Sequence, residues 1–455
     1  MKTTLLRFCL LAGALSVLAL ASARAQIVEF RAVINAAQET TGSTSPATGT
    51  AVLLYDVTAN TFDLSVTVND FANTITASHI HEGAAGVAGA VVTGLGGEAV
   101  YIRTGTTVRA MFTGVPHLGT PLVLLQNGAY INLHSAAFPG GEVRGQLIAQ
   151  PKRLTAVLTG AQEGATNTST AYGAAMITYD AGTNKIWTRI DVYNFTNTLT
   201  NSHYHEAPVG VSGPVVHGFG GASVYTRVGD SYHAVFSNQT YLGNPIKLLQ
   251  GLAYLNVHSN VAPAGEIRGQ VMVSDELNIG RLANVSSRGF VGTGDQVLIT
   301  GFVITGTEPV RVLMTARGPS LAAFGVSGAL ANPLLSLHDS TGRKLMENDD
   351  FGTTFSAVDL PGTGFAPGDA NESALLVVLP PGVYSTVVRG ANGATGVALS
   401  EVYEVRARGS AGSYVDNMTT PSLRQIRTQL RGGGAPTPRS APEFCVATPL
   451  ASIAR

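Results

Sequence analysis

Two histidines one residue apart, His79 and His81, stand directly before a carboxylate, Glu82, in the stretch ASHIHEGAAGVAGAVV (77–92). On a β-strand, residues two apart project to the same side, so the spacing aims both imidazoles one way. A further histidine, His134 in YINLHS (130–135), belongs to another strand of the same unit. Three imidazoles converging from two strands suit copper or zinc, with a water or another ligand completing the shell. The same set returns as His203, His205 and His258. A purely structural role competes with this one: His81 or His134 bonds a backbone carbonyl or Glu142 and fixes a loop against a strand, because a buried polar group must be paired. By the same-face rule Glu142 pairs with Arg144, and Glu266 with Arg268, as partly buried ion pairs that position a hairpin. Hydrolysis is a third chemistry, and only Glu82 and Glu142 stand in a setting that would serve it.

These residues sit in a duplicated unit. SHIHE (78–82) returns 124 residues later as SHYHE (202–206), so Glu206 repeats Glu82. The same offset carries Gln38-Glu39 onto Gln162-Glu163, Tyr101 onto Tyr225, YINLHS onto YLNVHS (254–259), and GEVRGQ (141–146) onto GEIRGQ (265–270). A constant offset means no net insertion between copies, and at this length the unit is a whole domain rather than a solenoid repeat. The copies are placed at 27–150 and 151–274.

The elements that must position the histidines are strands. FDLSVTVND alternates Leu64, Val66 and Val68 with Ser65 and Thr67, the pattern of a strand with one buried face. TAVLLYDVTANTFDLSV predicts a hairpin turning at Thr58-Ala59-Asn60, and AYINLHSAAFPGGEVRGQLIA a second one turning at Pro-Gly-Gly. No long 3.6-residue period is present, which predicts antiparallel β-sandwiches or barrels. The glycines of EGAAGVAG lack the strand-to-helix setting of a phosphate loop and predict a turn. Beyond the repeats, QVLITGFVITGTEPVRVLMTARG and SALLVVLPPGVYSTVVRG predict a third β-sandwich over 277–407, with a hairpin at Ser340-Thr341-Gly342. Its loops gather Glu347, Asn348, Asp349 and Asp350, with Asp369 and Glu372 further on. Oxygen ligands of this kind hold calcium elsewhere, but EF-hand spacing is missing and a solvated turn accounts for them.

The ordered motifs SHIHEGAAGVAGAVV, YINLHS and PGGEVRGQ, present twice, resemble the CHRD domain, named for chordin and widespread in bacterial exported proteins. The resemblance covers 27–274 and implies all-β, Ig-like sandwich or barrel domains. In animal chordin it implies growth-factor regulation, a ligand role that does not carry over to this chain. HIHE is also similar to the His-x-His copper ligands of copper-zinc superoxide dismutases, over a few residues only. The zinc-site loop and structural disulfide of those enzymes have no counterparts here. The third segment resembles a β-rich module recurrent in bacterial secreted proteins.

Composition fits export. Charged residues make up 13% of 455, glycines number 53, and the net charge is −1, which leaves no global electrostatic case for nucleic acid. The opening MKTTLLRFCLLAGALSVLALASARAQ predicts a secretory signal over 1–25, cleaved near Ala25-Gln26, with no spanning segment after it. Cleavage would remove Cys9 and leave Cys445 without an intrachain partner. The tail, 408–455, is predicted to be disordered, with a short helix in SLRQIRTQL ahead of its Gly-Pro-rich end. The expectation is an exported, non-enzymatic binding or adhesion protein with an extracellular or envelope ligand. Copper or zinc binding is the alternative and an extracellular hydrolase the third.

Overall fold

In the computed structural model, the structure describes residues 26–164, 167–274, 284–306, 309–354 and 356–405. The predicted signal segment with Cys9, the predicted tail with Cys445 and the short helix predicted in it lie outside the described residues. Ten strands of the first repeat form one antiparallel sheet: β1 (Ile27–Asn35), β2 (Thr48–Asp56), β3 (Thr61–Asn69), β4 (Ile75–Glu82), β5 (Ala90–Gly96), β6 (Ile102–Thr104), β7 (Thr107–Pro116), β8 (Ala129–Ser135), β9 (Val143–Gln146) and β10 (Ile148–Ala149). The order is β5-β4-β8-β9-β1-β2-β3-β7-β6, with β10 also on β1, and the sheet curls round its own core.

The second repeat copies this order with β11 (Lys152–Thr159), β12 (Tyr172–Asp180), β13 (Lys185–Tyr193), β14 (Leu199–Glu206), β15 (Val215–Gly218), β16 (Thr226–Val228), β17 (Ser231–Thr240), β18 (Ala253–Ser259), β19 (Ile267–Gln270) and β20 (Met272–Val273). Each repeat adds one short helix not expected from the sequence, α1 (Pro121–Leu125) and α2 (Pro245–Leu249). Both start at proline, whose fixed φ suits a first helical turn, and both bury a Leu-Leu pair. Apolar residues of the two repeats join in one continuous cluster, and Gln250 Nε2 donates to Val57 O across the junction (3.2 Å).

Local chemistry explains the hairpins. The predicted turn between β2 and β3 closes at Asn60, which holds φ +52°, a conformation asparagine tolerates. Its side chain accepts from Tyr55 OH (2.8 Å) and donates to His117 O (3.0 Å), locking the turn to the end of β7. Along β3 the expected alternation is met: Phe62, Leu64, Val66 and Val68 are buried in the core, and the residues between them face out. Each such side chain contributes about 1.5–3 kcal/mol on leaving water.

The third module is the expected sandwich. One sheet orders β21 (Asn284–Val291), β28 (Gly396–Glu404), β23 (Val310–Arg317) and β26 (Ser373–Leu379). The other orders β22 (Leu298–Ile304), β27 (Gly382–Gly390), β24 (Pro333–Asp339) and β25 (Lys344–Asn348), with the hairpin at Gly342 as predicted. Tyr193 of the second repeat belongs to this module's apolar cluster. Among the described residues no helix is long and apolar enough to cross a membrane.

Candidate metal centre

The strands β4 and β8 are neighbours, with His79 opposite Asn132 and His81 opposite Tyr130. Pleating sends Ile80, Ile131 and Leu133 into the core. His79, His81, Tyr130, Asn132 and His134 therefore share the outer face. His134 lies diagonal to His79, within reach for side chains of this length. The ligand nitrogens of the three histidines all fall within 4.8 Å of one another, as do those of His203, His205 and His258. His79 Nδ1 stands 3.2 Å from His134 Nε2, and His203 Nδ1 3.2 Å from His258 Nε2. Both sets are thus brought together as the sequence predicts.

Neighbouring carbonyls fix the tautomers. His81 Nδ1 lies 3.0 Å from Gly89 O, and His134 Nδ1 3.0 Å from Pro139 O. In the second repeat His205 meets Gly213 O at 2.9 Å and His258 meets Pro263 O at 3.0 Å. A carbonyl oxygen only accepts, so each of these Nδ1 atoms carries the proton and each Nε2 keeps its lone pair in the neutral ring. The Nε2 atoms of His81 and His205 are buried and have no hydrogen-bond partner among the described residues. Burial, then the neighbouring imidazoles, hold His79 below the usual histidine range, and the same causes push His203 down to about 4. His81, His205 and His258 are lowered first by burial as well. Neutral imidazoles with aimed lone pairs are the form that ligates metal.

Beneath the histidines lies a support built from the other motif residues. Tyr130 stacks on His81 with ring centroids 4.7 Å apart and planes 8° apart, and the Arg144 guanidinium lies 3.4 Å over the Tyr130 ring. Arg144 is 1% exposed. It donates to Val87 O (2.9 Å), Ala84 O (2.8 Å) and Gln146 Oε1 (3.0 Å). Gln146 Nε2 in turn donates to Gly83 O, Asn127 O and Ala129 O. These bonds hold the 83–89 turn, whose Gly89 N–H donates to Tyr130 OH while its carbonyl fixes His81. A Cβ on Gly89 would stand 1.7 Å from Glu82 O, so the position admits only glycine. Arg268, Tyr254 and Gly213 repeat the arrangement.

The expected Glu142–Arg144 and Glu266–Arg268 ion pairs do not form. Glu142 accepts from Ser45 Oγ (2.9 Å) and Asn73 Nδ2 (3.0 Å), and Glu266 from Ser169 Oγ (2.9 Å) and Asn197 Nδ2 (3.0 Å). The reason is local: Glu142 follows Gly141 at φ +131° and precedes the first residue of β9, so strand alternation does not reach it. Glu82 and Glu206 cap the helical turns, accepting from the backbone N–H of Thr120 and of Asn244. Lys247 adds an ion pair to Glu206 at 3.2 Å. In the third module Glu347 pairs with Lys344, Asn348 accepts from Ala374 N–H, Asp369 accepts from Asn371 N–H, and Glu372 accepts from Gly318 and Ser320. These groups are drawn to separate partners, and among the described residues the two histidine sets are the clusters suited to an ion.

Glu39 and Asn132 belong to the site's surroundings, although the sequence marks Glu39 only as a repeat landmark. Asn132 Nδ2 donates to Glu39 Oε1 (3.0 Å), and burial pushes the carboxyls of Glu39 and Glu163 up to about 7. A carboxyl raised from 4.5 in the folded chain favours folding below about 4.5, and that contribution is lost as pH rises towards 7. The double substitution Glu39→Gln, Glu163→Gln is therefore expected to raise the melting temperature at pH 8 and to leave it unchanged at pH 4.5. Equal shifts at the two pH values would refute the assignment.

A family model described as CHRD domain matches residues 30–147 and 154–271, just over half of the chain. No curated protein matches. Among solved structures, the chain is similar to the crystal structure of the major capsid protein P2 from Bacteriophage PM2, at 11% identity over 57% of this chain and 99% of that one. The TM-score of 0.15 supports no inference from that likeness.

Proposed function

The chain belongs to the CHRD family, and from that membership and its binding-type role we propose that each repeat is a module that holds one transition-metal ion. His79, His81 and His134 hold the first ion, and His203, His205 and His258 the second. The observation that carries this reading is the buried, partnerless lone pair on His81 Nε2 and His205 Nε2, each turned out by a carbonyl on the far nitrogen. A buried acceptor without a partner costs about 1–3 kcal/mol, a penalty that a bound ion removes. Metal–nitrogen bonds of about 2.0–2.1 Å at tetrahedral angles put ligand nitrogens roughly 3.3 Å apart, close to the 3.2 Å between His79 and His134. Imidazole ligation favours copper or zinc, and three protein ligands leave a position for water or for a ligand from solution. The carbonyl bonds to Nδ1 are the outer contacts that orient such ligands. We place the protein outside the cytoplasm on the strength of its leader-like opening residues.

Elemental analysis of the whole chain after loading with zinc or copper(II) and removal of excess is expected to give two ions per chain. Chelation should return the count to zero with an unchanged far-ultraviolet spectrum. A chain that retains no metal under these conditions would sink the reading.

One observation favours a second reading, a surface for a macromolecular partner. Val87, Val91 and Leu118 are exposed in the first repeat, and Val211, Val215 and Leu242 are exposed at the same positions of the second. Exposed aliphatic residues repeated in place mark interaction surfaces more than scattered ones do.

A further inference from the structure

The strand β26 reads SALLVVL, without charge, proline or glycine, and all seven residues are buried. Among the described residues it ends its sheet, paired to β23 alone, so alternate backbone groups along its outer side have no described strand beside them. Asn348 of the same module meets the Ala374 N–H (3.0 Å), and the second repeat meets the groups of Leu376 and Val378 with side chains. Tyr193 OH donates to Val378 O (2.8 Å), Asp191 Oδ2 accepts from Val378 N–H (2.7 Å), and the Arg189 guanidinium donates to Leu376 O. Residues 189, 191 and 193 lie on one face of β13, and their two-residue period matches that of 376 and 378 along β26.

Asp191 is wholly buried and also accepts from Arg189 Nε (2.8 Å) and His233 Nδ1 (2.8 Å). Ser231 Oγ adds a bond to Leu345 O (3.1 Å). Nothing equivalent exists in the first repeat, which carries Ser65, Thr67, Asn69, Thr107 and Arg109 at the matching positions. Its β3 shows simple alternation of burial, whereas β13 is buried continuously from Thr188 to Tyr193.

We propose that Arg189, Asp191 and Tyr193 form a side-chain clasp over the outer edge of β26, and that this edge, once unclasped, pairs with the β26 edge of a second copy. Buried charges are a costly way to fill an interface, and packed apolar residues of the same volume hold one at least as well. What charged and hydroxyl groups add is satisfaction of backbone donors and acceptors that a flat aliphatic edge otherwise offers to any passing strand. A seven-residue aliphatic segment free of charge and proline is of the self-pairing type. Two identical edges meet antiparallel about a two-fold axis, so the assembly closes at a dimer.

The test uses the full chain carrying Asp191→Ala, compared with the parent by light scattering over a concentration series and by hydrogen exchange of β26. The expected result is a dimer at concentrations where the parent keeps the lower mass, with the outward amide of Val378 still protected. Adding Val378→Pro removes that N–H and leaves the groups of Val377 and Leu379 that face β23, and it is expected to restore the parent's mass. Should Asp191→Ala lose the native far-ultraviolet spectrum, Tyr193→Phe, which removes only the hydroxyl bonded to Val378 O, takes its place with the same expected shift. An unchanged mass in the clasp variant overturns the proposal, and so does a dimer that Val378→Pro fails to reverse.

Discussion

Replacing His81 and His205 together with alanine is expected to abolish the proposed metal binding and to leave the chain folded. Each of these residues is one of the three proposed ligands of its set, with ring centroids 5.5 Å from His79 and 6.1 Å from His134 in the first repeat. Two nitrogens remain per site, too few to hold a zinc or copper ion against water. Loss of an outer contact alone lowers metal affinity by about 10–100-fold, so loss of a ligand lowers it further. The cost to the fold is modest. Each substitution removes one bond to a glycine carbonyl and one stacked ring, and it also removes the orphaned Nε2. The net change per site is expected to be about 1–2 kcal/mol against a total stability of roughly 5–15 kcal/mol. The sharpest readout is thermal: at a free metal concentration 100 times the dissociation constant the parent gains about 2.7 kcal/mol from each of its two sites, and the double variant gains none. Each single variant should bind one ion. Two ions retained by the double variant would place the metal elsewhere.

Arg144→Ala is the substitution expected to hurt the fold most. The side chain is buried, makes three hydrogen bonds, and covers the face of Tyr130. Truncation leaves a large void and an unpaired Val87 carbonyl, a loss of about 3–5 kcal/mol. Lysine does not rescue it, because one ammonium cannot reach the carbonyls of Ala84 and Val87 together while lying flat on a ring. Metal affinity should fall as well, since the turn carrying Gly89 is released and His81 loses its orientation. Urea unfolding of Arg144→Ala and Arg144→Lys, with zinc titrations, separates these effects. A stability loss below about 1 kcal/mol, or full rescue by lysine, would show that the arginine is not the keystone of the turn.

The period-two spacing of His79 and His81 and the fixed offset to His203 and His205 were sufficient to place both pairs on one strand face in two copies. Side-chain alternation is a property of the extended backbone and needs no partner strand. The same rule failed one motif later, because it was carried across Gly141, where the chain bends and Glu142 swings away from Arg144. Asn132 sits in the YINLHS motif, yet its link to Glu39 spans 93 residues and depends on how the sheet curls.

Sequence alone therefore determined the duplication, the β architecture and the facing of each histidine pair, all of which follow from local periodicity or direct comparison of the two copies. Only the tertiary structure decided that His134 meets His79 at 3.2 Å and that backbone carbonyls set the tautomers. It alone showed that Arg189 and Asp191 of the second repeat close a strand edge nearly two hundred residues away. Those contacts arise where strands distant in the chain are brought side by side, and no local pattern in either segment encodes the partner it will meet.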